Sequence, residues 1–166
     1  SLEAQIASIS DDIAYNSHDL EDGLKSNLFK LKDLEKIPIL KNIIFRHTKR
    51  KNNYSMDLII RQIIREIINE MVKDVIKTTK YNIKKYQLNN LNKVYRAHYP
   101  IVNFSKQMNK FDKKIKHFLR QKMYYNKKVK KNTNQGKKII KKLFLAIQRN
   151  PSKYINVSKY DKSNIA

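Results

Sequence analysis

Glycine is almost absent from this sequence, and this scarcity is the strongest constraint on its fold. Only Gly23 and Gly136 occur in 166 residues, together with three prolines. Tight β-hairpins depend on glycine, because their turns need backbone conformations that other residues avoid. The glycine-rich motifs of dinucleotide-binding folds and of P-loops are excluded for the same reason. We therefore predict a multi-helical, all-α fold.

The composition narrows the class of protein further. Hydrophobic residues make up 40% of the chain, which is enough to build a core, so a disordered polyelectrolyte is excluded. There is no cysteine, which excludes disulfides, thiolate metal sites and cysteine nucleophiles. No apolar run approaches the roughly 20 residues of a membrane span, and no signal peptide is recognisable. We expect a cytoplasmic protein without a membrane partner.

Apolar periodicity predicts the helices in the first half of the chain. A helix is expected over residues 2–28, with Gly23 as the position that loosens its last part. Pro38 suits the first turn of a second helix, which a polar break at residues 49–53 ends. Ser55 is the predicted N-cap of a long helix to about residue 87. The isoleucines of that helix form so broad a stripe that burial on more than one side is expected.

The second half contains weaker signals. Residues 88–104 show no clear period and contain Pro100, so we predict a connector with about one helical turn. Ser105 is expected to cap a helix of about twenty residues, whose inner face carries Met108, Phe111, Ile115, Phe118, Leu119 and Met123. A polar break at residues 132–135 and Gly136 are expected to precede a final helix. That helix carries Ile139, Ile140, Leu143, Phe144 and Ile147 and is expected to stop near Asn150 and Pro151.

Charge is distributed very unevenly along the chain. Residues 1–75 contain 12 basic and 12 acidic residues, whereas residues 76–166 contain 25 basic and 2 acidic residues. Such a basic half attracts phosphates and suggests a nucleic-acid partner for residues 76–166. Phe118, Tyr124 and Tyr125 would then stack on bases. The alternative is a solvated surface, because lysine, isoleucine and asparagine are all favoured by A/T-rich coding.

The first predicted helix carries a line of chemically useful side chains. Asp11, Tyr15 and Asp19 are spaced four residues apart, so each step rotates by about 40° and rises about 6 Å on one face. We expect this line to lie beside the buried seam of the helix. A carboxylate binds hard or borderline divalent metals, a tyrosine ring packs on a base or sugar, and a second carboxylate accepts a hydrogen bond from a hydroxyl group. An ordinary solvated face is the alternative.

These residues belong to a motif that resembles a known family. Asp11-Asp12-Ile13-Ala14-Tyr15 and His18-Asp19-Leu20-Glu21-Asp22-Gly23 are similar to the signature helix of dGTP triphosphohydrolase-like proteins, in the HD metal-phosphohydrolase superfamily. Weaker matches follow in the same order, including Ile101 to Ser105, Lys116 to Leu119 and the Asn150-Pro151 stop. The resemblance covers most of residues 1–160 and implies the C-terminal portion of such a protein.

The resemblance implies roles for individual residues. In that family a His, a His-Asp pair and a distal Asp bind one catalytic metal, and Asp11 matches the distal Asp. Tyr15 matches the residue that packs on the substrate sugar, and Asp19 is the candidate partner of the 3′-hydroxyl group. The dipeptide His18-Asp19 is not the family's metal-binding pair, because it lies about two turns after Asp11. His47, His98 and His117 fit no ligand spacing.

The implied reaction is the hydrolysis of a dNTP, such as dGTP, to a deoxynucleoside and tripolyphosphate with Mg²⁺ or Mn²⁺. The metal would polarise the α-phosphate and help to generate hydroxide. The chain starts at Ser1 without the family's His and His-Asp ligands, so we expect an N-terminally incomplete domain, also cut at its C-terminus, that is inactive alone. Residues 1–50 would complete the HD-domain core, and residues 51–166 would form the phosphohydrolase-associated region.

Three hypotheses remain open from the sequence. The first is a part of a metal-dependent dNTP triphosphohydrolase whose partner is the missing N-terminal HD segment. The second is a basic helical module that binds nucleic acid. The third is a structural domain that mediates assembly, and it overlaps the first because the family often forms homo-oligomers.

Overall fold

The computed structural model describes residues 1–49 and 54–154, and in these residues the chain is helical without a β-strand. The predicted all-α fold is confirmed. The helices are α1 (Leu2–Lys25), α2 (Leu31–Leu34), α3 (Pro38–Thr48), α4 (Met56–Lys85), α5 (Leu91–Tyr95), α6 (Lys106–Leu119), α7 (Lys127–Arg149) and α8 (Pro151–Tyr154). A π-helical turn, Arg120–Tyr124, follows α6.

Side-chain caps determine where the two long helices of the first half begin. The Ser1 hydroxyl accepts a hydrogen bond from the Ala4 N–H at 3.3 Å, and the Ser55 hydroxyl accepts one from the Leu58 N–H at 3.4 Å. Each bond satisfies a donor that the first turn of a helix leaves unpaired. The predicted caps of α4 and the proline at the start of α3 are confirmed.

Helices α1 and α4 end in the same way. Asn27 (φ 53°) and Gln87 (φ 49°) adopt left-handed backbone conformations just after their helices. In each case two backbone N–H groups turn back to the last helical carbonyls, as in a Schellman motif. Asparagine tolerates this conformation better than glutamine does, because its short side chain bonds locally.

The chain divides into two compact units, Ser1–Met123 and Tyr124–Ala166. The core of the first unit is built where α4 packs against both α1 and α3, and where α6 packs against α1. This arrangement confirms that the isoleucine stripe of α4 is buried on more than one side. The core comprises Ile13, Leu20, Leu24, Phe29, Leu34, Ile37, Leu40, Ile43, Ile44, Ile60, Ile63, Ile64, Ile67, Met71, Phe104, Met108, Phe111, Ile115 and Leu119.

The connector between α4 and α6 is held by polar side chains of its neighbours. The Gln5 side-chain oxygen accepts hydrogen bonds from the N–H groups of Ile101 (2.8 Å) and Val102 (3.0 Å). Asn82 donates to the Ile101 carbonyl at 2.9 Å. The connector contains the single short helix α5, as predicted. Because its backbone groups are bonded in this way, the segment is fixed against α1 and α4.

The second unit differs from the sequence prediction. Helix α7 runs without interruption through residues 132–136, so the predicted break there is wrong. Lysine-rich flanks favour a helix, and a mid-helix glycine costs only about 1 kcal/mol relative to alanine. None of the α7 side chains, all in the described part of the chain, is buried, and the predicted apolar stripe lies exposed at Ile139, Ile140, Leu143 and Phe144. The predicted stop at Asn150 and Pro151 is confirmed.

In the described ranges, no helix combines the length and the apolar character that crossing a membrane requires.

Candidate functional site

The three predicted site residues lie on one continuous helix. Asp11, Tyr15 and Asp19 all fall within α1, which is unbroken from Leu2 to Lys25, so they share one face as the four-residue spacing requires. The side chain of Asp11 is exposed and that of Asp19 is half-buried. Tyr15 is 64% exposed although its ring is apolar. The face therefore presents a carboxylate and an aromatic ring to the surroundings.

Asp11 and Tyr15 point away from the core, which corrects for these two residues the prediction that the line lies beside the buried seam, whereas Asp19 is half-buried. Ile13, Leu20 and Leu24 are the buried apolar residues of α1. At about 100° per residue they lie roughly 180–220° around the helix from Asp11. The line of Asp11 and Tyr15 is thus on the opposite side of α1. A substrate or a further protein segment can reach it without disturbing the core.

Within the described residues, no group of three or more His, Cys, Asp or Glu side chains could hold a metal ion. Divalent cations are bound by several ligands fixed together, so one exposed carboxylate such as Asp11 does not make a complete site. The described residues therefore hold no complete metal site, and the role of Asp11 as a single metal ligand stays a prediction.

The four histidines, all within the described residues, belong to no group that could hold a metal ion. His18, His98 and His117 are exposed on different elements. The His47 imidazole lies 2.5 Å from the carboxylate of Glu66, which also pairs with Arg46, and these contacts join α3 to α4. Partial burial works to raise the pKa of Glu66, but the hydrogen bonds from Arg46 and His47 outweigh it and lower that pKa.

Sequence reasoning did not predict a buried polar network that lies beside the face of α1 with Asp11, Tyr15 and Asp19. The Asn16 amide on α1 donates to Asp112 on α6 at 2.7 Å, and Asp112 is only 6% exposed. Lys116 lies 3.1 Å from the other oxygen of Asp112 and 3.3 Å from an oxygen of Asp12. Asp12 and Asn16, on adjacent turns of α1, are therefore both bonded to α6. Around the helix axis they lie about 100° and 140° from Asp11.

This network raises the pKa of Lys116. Burial works to lower the pKa of Lys116, but hydrogen bonds and charge interactions with Asp112 and then Asp12 outweigh it, so that the pKa is raised. The Asp112 carboxylate is thereby paired on both oxygens, which is the condition for keeping a buried charge. The sequence does single out Asp112, because Asp112 and Asp161 are the only acidic residues after residue 75.

Comparison with known proteins finds similarity to a domain family in the second half of the chain. The sequence profile of the phosphohydrolase-associated domain matches residues 102–159. These residues include α6 and α7 and fall within the region 51–166 that was predicted to be of this kind. The predicted boundary at residue 50 stays a prediction.

Similarity to complete proteins extends the match to nearly the whole chain. A deoxyguanosinetriphosphate triphosphohydrolase-like protein of Pelagibacter ubique is 49% identical over 94% of this chain. Proteins of the same name from Bartonella tribocorum and Neorickettsia sennetsu are each 35% identical, over 90% and 91% of this chain. The chain spans 42%, 38% and 39% of the lengths of these three relatives.

The predicted resemblance is therefore confirmed: the chain is homologous to a part of proteins named dGTP triphosphohydrolase-like. Because the match to the Pelagibacter ubique relative covers 94% of this chain, it extends into α1, which carries the predicted site residues. The individual roles of those residues stay predictions.

Proposed function

We propose that this chain is part of a metal-dependent deoxynucleoside triphosphate triphosphohydrolase, to which it contributes one metal ligand and two substrate contacts. The observation that carries the proposal is the line of Asp11, Tyr15 and Asp19 on one face of α1, in which Asp11 and Tyr15 are exposed. It occurs in a chain that is homologous over most of its length to dGTP triphosphohydrolase-like proteins. The substrate is a dNTP of the dGTP type, and the products are a deoxynucleoside and tripolyphosphate.

Each residue has a role that its chemistry permits. The Asp11 carboxylate is an anionic oxygen ligand of the kind that Mg²⁺ and Mn²⁺ prefer. The exposed ring of Tyr15 offers a flat apolar surface on which a deoxyribose can pack. The Asp19 carboxylate accepts a hydrogen bond from a sugar hydroxyl, and such charge-assisted bonds are among the stronger ones.

The proposal also states that this chain does not turn over dNTPs by itself. Asp11 supplies only one carboxylate, and cation affinity depends on several fixed ligands. The remaining ligands, a His and a His-Asp pair, would belong to the part of the relatives' length that this chain does not span. That segment would approach the face of α1 that carries Asp11, because the opposite face is already buried in the core.

The test is an assay of inorganic tripolyphosphate released from dGTP in the presence of Mn²⁺. Two proteins are compared: this chain, and a chimera in which it replaces the matching part of the Pelagibacter ubique relative. In the chimera, Asp11→Asn removes the charged ligand with little change in volume. Asp12→Asn is the matched control, because Asp12 is the adjacent exposed carboxylate and bonds to Lys116 instead.

We expect activity in the chimera only. Asp11→Asn should reduce it by more than the roughly 10- to 100-fold that removing a hydrogen-bond partner of a metal ligand costs. Asp12→Asn should retain most of it. Equal activity in the Asp11→Asn and Asp12→Asn chimeras would refute the assignment of Asp11, and Mn²⁺-dependent activity of this chain alone would refute the statement that it is incomplete.

Homo-oligomeric assembly and a cytoplasmic location stay predictions. The molar mass of the active chimera in solution, measured by light scattering, tests the first.

A further inference from the structure

Helix α7, in the second compact unit, leaves its large apolar side chains exposed. Ile139, Ile140, Leu143 and Phe144 are 53–69% exposed. Helix α6 carries an apolar stripe of the same kind, but that stripe is buried in the core of the first unit. Among the described residues, nothing buries a side chain of α7. The stripe of α7 is therefore available to a partner outside this part of the chain.

The apolar and the basic residues of α7 lie on different sides of the helix. At about 100° per residue, the stripe falls within an arc of about 140°, called the apolar arc below. It comprises Ile139, Ile140, Leu143, Phe144 and Ile147. All nine basic residues of α7 lie outside the apolar arc, and α7 contains no acidic residue. A broad apolar arc beside a lysine-rich face is typical of helices that lie in the interface between water and lipid.

Lysines border both edges of the apolar arc. Lys137 and Lys128 each lie about 20° beyond one edge. Long lysine side chains extend along an apolar surface and keep their ammonium groups in water, at the depth of the lipid headgroups. There they attract anionic lipids. We propose that the apolar arc of α7 docks on an anionic lipid surface, with the helix parallel to the plane of the membrane.

The combination of residues in α7 favours lipid over other partners. Lysine is depleted where two proteins meet, and eight residues of α7 are lysines. A nucleic acid would neutralise the lysines but would leave the aliphatic side chains of the apolar arc in water. An anionic bilayer takes up both sets of side chains, because its headgroups are charged and its acyl chains are apolar.

The N-terminal part of the same face is less apolar but keeps its hydroxyl group bonded. Val129 and Thr133 continue the direction of the apolar arc, and the Thr133 hydroxyl donates to the Val129 carbonyl at 3.0 Å. Thr133 therefore loses no hydrogen bond when the face leaves water. Asn132 lies near one edge, where headgroups and water are within reach. From Val129 to Ile147 the face is about 27 Å long.

This mode of binding needs no membrane-spanning segment. A helix parallel to the surface places its apolar face only about 5–10 Å deep, at the boundary between headgroups and acyl chains. The expectation that the chain has no membrane partner rests on the absence of a spanning segment. A helix that lies on the membrane is compatible with that absence.

The test is co-sedimentation of this chain with vesicles of phosphatidylcholine alone and of phosphatidylcholine mixed with phosphatidylserine. Ile140→Gln removes the most exposed residue of the apolar arc without changing the charge, and glutamine suits a helix at least as well as isoleucine does. Leu91→Gln is the matched control, because Leu91 is 70% exposed and Ile140 is 69% exposed, but Leu91 lies on α5 in the first unit.

We expect the chain to bind the mixed vesicles and to bind phosphatidylcholine alone only weakly. Ile140→Gln should weaken binding to the mixed vesicles by roughly 10- to 100-fold, the range for losing one aliphatic side chain that is removed from water. Leu91→Gln should bind like the unchanged protein. Equal affinities of the Ile140→Gln and Leu91→Gln variants would overturn the proposal, as would equal binding to the two kinds of vesicle.

A tryptophan reporter shows which face meets the lipid. The chain contains no tryptophan, so Phe144→Trp introduces a single fluorophore into the apolar arc. Its emission should shift to shorter wavelength when the mixed vesicles are added, because the indole leaves water, and the emission of Leu91→Trp should not shift. Vesicle-bound Phe144→Trp whose emission is unshifted would overturn the assignment to this face.

Other occupants of the apolar arc give different results. A dimer in solution that Ile140→Gln converts to a monomer, measured by light scattering, would overturn the proposal, because a second copy would then cover the face. The chimera with the Pelagibacter ubique relative is tested with the same vesicles. If the chimera does not bind them, the proposal is overturned for the complete protein, because the additional segment would then cover the face.

The inference is independent of the proposed hydrolase function. Vesicle binding is measured without turnover, so the activity of the chimera and its binding to lipid can each fail while the other stands.

Discussion

The two glycines of this chain offer a direct test of how its core is packed, because both are helical but only one has a close neighbour. A β-carbon added at Gly23 in α1 would lie 2.2 Å from Cε1 and 2.3 Å from Cζ of Phe29. A β-carbon added at Gly136 in α7 would meet no atom of the described residues within 4 Å. We expect Gly23→Ala to destabilise the protein and Gly136→Ala to stabilise its helix.

The magnitude follows from opposing terms. Alanine is favoured over glycine in a helix interior by about 1 kcal/mol, and this gain applies at both positions. Non-bonded carbons prefer separations of about 3.5–4.0 Å, so the Phe29 ring would have to retreat by more than about 1 Å. Overpacking of this kind costs about 1–3 kcal/mol.

Movement of Phe29 has a second cost. Its ring is 4% exposed and meets Phe118 edge to face, with centroids 4.9 Å apart. Loss of such an aromatic pair costs about 0.5–1.5 kcal/mol. Subtracting the helix gain leaves a net destabilisation of about 0.5–3.5 kcal/mol for Gly23→Ala.

Thermal and urea unfolding followed by circular dichroism measure both variants. A chain of this size loses about 2–4 °C in Tm per kcal/mol, so Gly23→Ala should lower Tm by several degrees. Gly136→Ala should raise the helical signal or leave it unchanged. The packing argument is refuted if Gly23→Ala is as stabilising as Gly136→Ala.

Three further predictions concern charges and turns. The pKa of Glu66 is lowered in the folded protein, so its contribution to stability is present above the ordinary value of 4.5 and is lost as the pH falls through the folded value. In urea titrations between pH 6 and pH 3, the Glu66→Gln variant should therefore lose less stability than the unchanged protein does. Gln87→Gly should raise the free energy of unfolding by about 1 kcal/mol, since glycine adopts the left-handed conformation without strain, and an unchanged urea midpoint would contradict this. Asp112→Asn should lower the free energy of unfolding by about 1.5–3 kcal/mol, because it removes the charged partner of Lys116. The control Asp22→Asn, at an exposed position on α1, should leave the urea midpoint unchanged.

Local features of the sequence predicted the helices well where strong signals mark their ends. Ser55 and Pro38 are capping residues whose effect depends only on neighbours within one turn, and both start helices as expected. The break expected near Gly136 did not occur, because a polar stretch rich in lysine and asparagine is compatible with both a loop and a helix. Periodicity also predicted the inner face of α6 correctly, although Phe118 packs on Phe29 and is only partly available for stacking.

Contacts between distant residues could not be predicted in the same way. Asn16 and Asp112 are separated by 96 positions, and no local pattern pairs them. The ring contact between Tyr86 and Tyr99 likewise depends on the path of the connector, which brings Tyr99 back to the end of α4. The line of Asp11, Tyr15 and Asp19 could be predicted, because four-residue spacing on one helix is a local property. The side of α1 on which it lies could not be, since that depends on which neighbours cover the helix.

The bonds from Asn16 and Asp12 to α6 have a consequence for how mutations in this protein should be interpreted. They attach α1 to α6 at two successive turns, on the flank of the helix that lies between the core and Asp11. Rotation of α1 about its own axis would break both attachments at once, so they set the direction in which the Asp11 carboxylate points. The buried bond between Asn16 and Asp112 is the stronger of the two attachments, because the pair of Asp12 and Lys116 is exposed. A substitution at Asp112, which does not lie on the face that carries Asp11, would therefore alter the direction of the Asp11 carboxylate, and a variant there can mimic the loss of a site residue.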